Sequence, residues 1–128
     1  MIRTTMIVGL FTLLTGSALA RDLDVTEKKL ITDAVTKDFK DPSSAQFRWL
    51  PIMGITREVS SRTYCGMVNG KNSYGAYIGF APFSVFLAIK DSRVVIAAPL
   101  GAGAPGSSME SVILKICIDG GGDPRQAR

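Results

Sequence analysis

The side chains able to do chemistry are few in this chain. It contains no histidine, which removes Ser-His-Asp and Cys-His nucleophilic machinery and every imidazole-based zinc site. Its two cysteines, Cys65 and Cys117, stand too far apart for a Cys-x-x-Cys redox motif. Gly101-Ala102-Gly103-Ala104 lacks the Lys and Ser/Thr that make a glycine run into a phosphate loop. A glycosidase-type pair needs two acids ~5–9.5 Å apart, and Asp41, Glu58, Asp91 and Glu110 are the available carboxylates. Each has a local explanation instead: helix stop, solvent-facing strand residue, hairpin turn and helix cap. Ser73 and Lys71 can be drawn as a Ser/Lys dyad, but a lysine on an exposed tip stays charged and is useless as a base. The sequence therefore offers no catalytic residue, no metal ligand set and no cofactor motif, and it reads as a protein that is not an enzyme.

What remains is the chemistry of contact, concentrated in residues 65–80, CGMVNGKNSYGAYIGF. Asn69-Gly70 is a strong signal for a two-residue hairpin loop, because both positions then need positive φ. Pairing across it sets Cys65 against Tyr74 or Ala76. Either register puts Cys65, Met67, Tyr74, Ala76, Ile78 and Phe80 on one face, and Tyr64, Gly66, Val68, Gly75, Tyr77 and Gly79 on the other. The first set is the better core face. On the second, glycines leave bare backbone over which tyrosines, a ligand or another chain can lie. Tyr64 and Tyr77, flanked by Lys71 and Asn72 at the turn, form the expected recognition surface.

The elements that position this stretch follow from periodicity. Residues 24–40 predict a helix, with Asp24 and Glu27 in capping-box spacing and Leu30, Ile31, Ala34, Val35 and Phe39 recurring at helical spacing. Asp41-Pro42 ends it. Strands are expected near Phe47–Leu50, over Ile55–Val59 and Arg62–Val68, and then as two longer runs joined by a tight hairpin at Lys90-Asp91-Ser92-Arg93. Ser107 and Glu110 offer a second capping box. Met109, Val112, Ile113, Ile116 and Cys117 then share one stripe of a short helix, and residues 120–128 read as a frayed tail. Strands grouped between two helices predict an α+β fold, an antiparallel sheet of about four to five strands packed against an N-terminal and a C-terminal helix.

The first twenty residues have the layout of an export signal: Arg3, an apolar run from Met6 to Leu14, and Ala18-Leu19-Ala20 before Arg21. Residues 21–128 are then one domain, periplasmic or secreted, with no transmembrane segment. In an oxidising compartment an even pair of cysteines predicts the disulfide Cys65–Cys117. The formal net charge is +4, but the basic residues are scattered among acidic ones rather than clustered as a nucleic-acid binder requires.

Two boxes carry a resemblance: Asp41-Pro42-Ser43-Ser44-Ala45-Gln46-Phe47, and a Cys-Gly-x-Val-Asn-x-Lys-Asn-Ser-Tyr-Gly-x-Tyr-x-Gly run beginning at Cys65. The chain resembles a group of short exported proteins of Gram-negative bacteria. That resemblance implies an exported, one-domain protein and supplies no catalytic residue. The function expected is that of a disulfide-stabilised accessory protein that binds an envelope protein or polymer. The alternative is an inhibitor or immunity-type protein against a secreted hydrolase, with Lys71-Asn72 as the inserted tip.

Overall fold

The computed structural model describes residues 19–128. The expected export signal over residues 1–20 lies outside them except for its last two positions. The first helix, α1 (Val25–Val35), starts where its cap predicts. The Asp24 carboxylate accepts from the Glu27 amide at 2.8 Å, and the Asp24 amide donates to the Glu27 carboxylate at 3.1 Å. The helix ends at Val35 rather than at Lys40. Thr36 donates its hydroxyl to the Thr32 carbonyl at 2.8 Å, and the Phe39 amide turns back to the Thr36 carbonyl. This tight turn swings Phe39 onto Gly70, where a Cβ would stand only 3.0 Å from the Phe39 ring.

Four antiparallel strands follow in chain order, β1 (Gln46–Arg48), β2 (Ser61–Asn69), β3 (Ala81–Lys90) and β4 (Arg93–Ala102). The expected α+β fold is borne out, with four strands and two helices. The β3–β4 turn places Asp91 and Ser92 at φ 51° and 63°, the left-handed pair that a two-residue hairpin requires. Two expectations fail. Residues 55–59 form a turn closed from the Val59 amide to the Thr56 carbonyl, not a strand. Asn69-Gly70 is no hairpin tip either: β2 pairs with β3, setting Cys65 opposite Ser84 and Met67 opposite Pro82, and residues 70–80 leave the sheet as an excursion.

This register decides the two faces. Tyr64 and Val68 share a side with Phe83, Val85 and Leu87, and with Ile31 and Val35 of α1, Leu23 and Ile52 they make the main core. Expected at the surface, Tyr64 is 2% exposed. Its hydroxyl donates to the Leu50 carbonyl at 2.8 Å and accepts from the Leu50 amide at 2.9 Å. The opposite side holds Cys65 beneath the second helix, α2 (Ser108–Ile116), where Ile113 and Cys117 bury themselves. The predicted disulfide Cys65–Cys117 is present, with the two Cα atoms 5.8 Å apart. The tail is tied down rather than frayed: Pro124 is buried, and Trp49 and Arg128 exchange backbone hydrogen bonds of 2.8 and 3.0 Å.

The outer edge of β4 is interrupted at two positions. The Gly103 amide bonds to the Pro82 carbonyl and the Ile89 amide to Ser60, so even-numbered β3 residues face β4 and odd-numbered ones face β2. Val94, Ala97, Pro99 and Ala102, the partners of Ile89, Leu87, Val85 and Phe83, therefore turn their backbone groups outward. The Val94 amide donates to the buried Glu27 carboxylate at 2.9 Å, and Pro99 has no amide hydrogen to offer. Arg21 reaches the same carboxylate with two bonds of 2.6 and 2.9 Å. Burial alone would raise the Glu27 pKa, but the hydrogen bonds from Arg21, Val94 and Asp24 prevail and hold it at about 2.

Candidate functional site

The excursion over residues 70–80 is built from the side chains of two asparagines. Asn69, nearly buried, accepts from the Gly79 amide at 2.9 Å and donates to Gln46 at 3.2 Å, so it ties both ends of the excursion to the sheet. Asn72 closes the tip: its side-chain oxygen accepts from the amides of Tyr74 and Ala76 at 2.9 and 3.1 Å. Lys71 and Tyr77 pair across this small hairpin, and Gly75, at φ 77°, supplies the left-handed residue it needs. The turn therefore sits at residues 72–75, a few positions beyond the Asn-Gly signal. Asn69 is consumed as a strut, which removes it from the role of turn residue.

Two further contacts fix the tip in space. The Tyr77 hydroxyl donates to the Ser44 carbonyl at 2.7 Å, and Lys71 Nζ lies 5.2 Å from the centre of the Tyr77 ring, a cation–π distance. Lys40 Nζ donates to the Ser73 hydroxyl at 2.6 Å. The serine of the imagined Ser/Lys dyad is thus held by Lys40, while Lys71 faces an aromatic ring. Among the described residues, neither Lys40 nor Lys71 forms an ion pair with a carboxylate. Beside the tip runs a groove of about 390 Å³ with Phe39, Val68 and Ile78 as apolar lining and Asp38, Lys40, Lys71 and Asn72 at its polar side.

Of the four expected recognition residues, the structure brings together Lys71, Asn72 and Tyr77. Tyr64 is withdrawn into the core, because Tyr64 and Tyr77 belong to different segments once β2 pairs with β3. Sequence reasoning missed Phe39 and Lys40. Phe39 looked like the last member of a helical stripe, and only the early helix end turns it toward the groove.

The carboxylates considered for hydrolysis stand on four separate segments. Asp41 accepts from the Ser43 hydroxyl, Glu58 is exposed in a turn, Asp91 sits in the β3–β4 turn and Glu110 accepts from the Gly106 amide. Among the described residues no group of three or more His, Cys, Asp or Glu is placed to hold a metal ion. No described helix is long and apolar enough to cross a membrane. The arrangement supports contact: a hydrogen-bonded polar and aromatic tip, and an apolar groove bordered by two ammonium groups and the Asp38 carboxylate. No known protein family, curated protein or solved structure matches the chain.

Proposed function

We propose that the protein is a small exported, non-enzymatic binding protein of the bacterial envelope, which grips a protein or polymer partner with the 71–77 tip and the groove beside it. One observation carries this reading: an exposed excursion that contributes little to the core is nevertheless pinned at every turn by Asn69, Asn72, Tyr77 and Lys40. Pre-ordering of this kind lowers the entropy a binding loop must lose when it meets its target. The disulfide fits an oxidising compartment. The groove suits a partner that sets an apolar group on Ile78 and Phe39 and an anionic group near Lys40 and Lys71.

The test is capture of a partner from an envelope extract by the oxidised protein. Lys71→Glu and Tyr77→Ala should each cut capture at least about tenfold, a loss of roughly 1.4 kcal/mol, while the melting temperature stays near that of the wild type. Capture unchanged in both variants sinks the assignment. An inhibitor of a secreted hydrolase is the second reading, favoured by Tyr74, which is 95% exposed at the tip. Inhibition of a muramidase or amidase that disappears in Tyr74→Ala would select it.

A further inference from the structure

One stretch of the sheet lacks a neighbouring strand. The Ile89 amide bonds to Ser60, so in β2 the even-numbered residues face β3 and the odd-numbered ones face the β1 side. Asn69 and Met67 direct their outward groups to Gln46 and Arg48 of β1. Continued at the same register, β1 would set Leu50 against Cys65 and Ile52 against Thr63. It does not continue. The Tyr64 hydroxyl takes both backbone groups of Leu50, Pro51 has no amide hydrogen, and Ile52 exchanges bonds of 3.0 and 2.8 Å with Arg21. Among the described residues, the outward amides and carbonyls of Ser61 and Thr63 therefore have no partner.

A cleft of about 380 Å³ runs along this edge, lined by Thr63, Leu50, Met53 and glycines 120–122. Its two walls belong to opposite faces of the sheet. Leu50 is tied to Tyr64, whose side chain lies in the main core, whereas Gly121 lies against Cys65 on the α2 side. The cleft is shut at the Cys65 end. There a Cβ on Gly121 would stand 3.5 Å from the Cys65 nitrogen, and one on Gly122 3.4 Å from the Leu50 side chain. Ser61, at the other end, is exposed.

We propose that this edge of β2 takes one short extended segment of another protein, which completes the strand track that β1 leaves. Donor and acceptor alternate along the edge, and another extended backbone about 4.8 Å away answers all of them. Side-chain preference follows from the walls. The partner residue opposite Thr63 shares its side of the sheet and points toward Gly120. A Cβ on Gly120 would meet nothing within 4 Å, so a large side chain fits there. The residues before and after it turn to the other wall, where Met53 is 57% exposed, and are apolar.

Other occupants fit worse. A helix has spent its backbone groups on itself, and an acyl chain has none. A second copy brings the same two walls beside its own Ser61 and Thr63, and wall would meet wall before the edges paired. This inference stands apart from the reading of the 71–77 tip.

The probe is a library of random linear peptides displayed on phage and selected on the full, oxidised protein. The expected result is an enriched sequence with a large residue between apolar ones, whose binding slows hydrogen exchange at the Thr63 amide. Thr63→Pro removes that amide hydrogen from an outward edge position, where proline is tolerated. It should weaken the selected peptide at least about tenfold, while Thr63→Val keeps the backbone groups and binds as the wild type does. Should the proline variant fold poorly, methylating the peptide amides one by one gives the same answer: alternate positions lose at least about tenfold and those between them lose nothing. Lys71→Glu and Tyr77→Ala should leave peptide binding unchanged. No enriched sequence, unchanged exchange at Thr63, no alternation among the methylated amides, loss of binding in the tip variants, or protection of Thr63 by self-association without peptide overturns the proposal.

Discussion

The two sides of one sheet are stabilised by different means. Toward α1, Tyr64, Phe83, Val85, Leu87, Ile31 and Val35 are almost wholly buried, and the one charged residue among them, Glu27, has every hydrogen bond it needs. Toward α2, the buried set is Cys65, Cys117 and Ile113, and beside them the Ser84 hydroxyl is buried with no partner. The first side is held by apolar area, which forbids exposure. The second is held by a covalent bond, which does not require full cover, and Met109, Val112 and Ile116 beside it stay about half exposed.

Breaking the covalent side gives the largest effect. Replacing Cys65 and Cys117 together by Ala should lower the unfolding free energy by about 4 kcal/mol, the chain-entropy value for a loop of this length. Chemical denaturation of the oxidised and substituted proteins measures it. A loss below about 1 kcal/mol would mean that α2 is held by packing after all and that the contrast between the sides is false.

Acid tests the other side. The Glu27 carboxyl lies at about 2 in the folded chain against 4.5 without its partners. Its contribution is therefore complete above pH 4.5 and drains away as pH falls through about 2. The difference corresponds to about 3 kcal/mol. Glu27→Gln should flatten the stability profile over that window, and a profile identical to the wild type removes Glu27 from the account.

The smallest effect sharpens the contrast. Ser84→Ala discards an orphan hydroxyl from the disulfide side, so stability should stay level or rise by up to about 1 kcal/mol. A clear loss in thermal unfolding would show that the hydroxyl has a partner.

Much of this was legible in the residues, and the exceptions have physical causes. Asp24 with Glu27 marked the start of α1, Ser107 marked that of α2, and cysteine count with compartment marked the disulfide. These signals are local or combinatorial. The hairpin was misplaced because Asn69 was read as a turn former, although its side chain serves Gln46 and Gly79 across the sheet. Tyr64 was misread for the same reason. Its face depends on pairing with Val85, a long-range partner no local pattern names. At the site, Lys71, Asn72 and Tyr77 were visible as a polar and aromatic run, while Phe39 and Lys40 arrive from the far end of α1 through a turn whose position Thr36 sets. The α2 stripe was legible as apolar spacing, but periodicity cannot say how much of it the sheet beneath covers, and only Ile113 and Cys117 are buried.

The carboxylate that occupies the Val94 amide has a consequence for the behaviour of the protein in a crowd. Sheets with naked borders recruit further sheets, and the product is a growing fibre. Here the β4 border begins with a filled donor and carries a proline farther along, so a strand added at that border meets two breaks in the ladder.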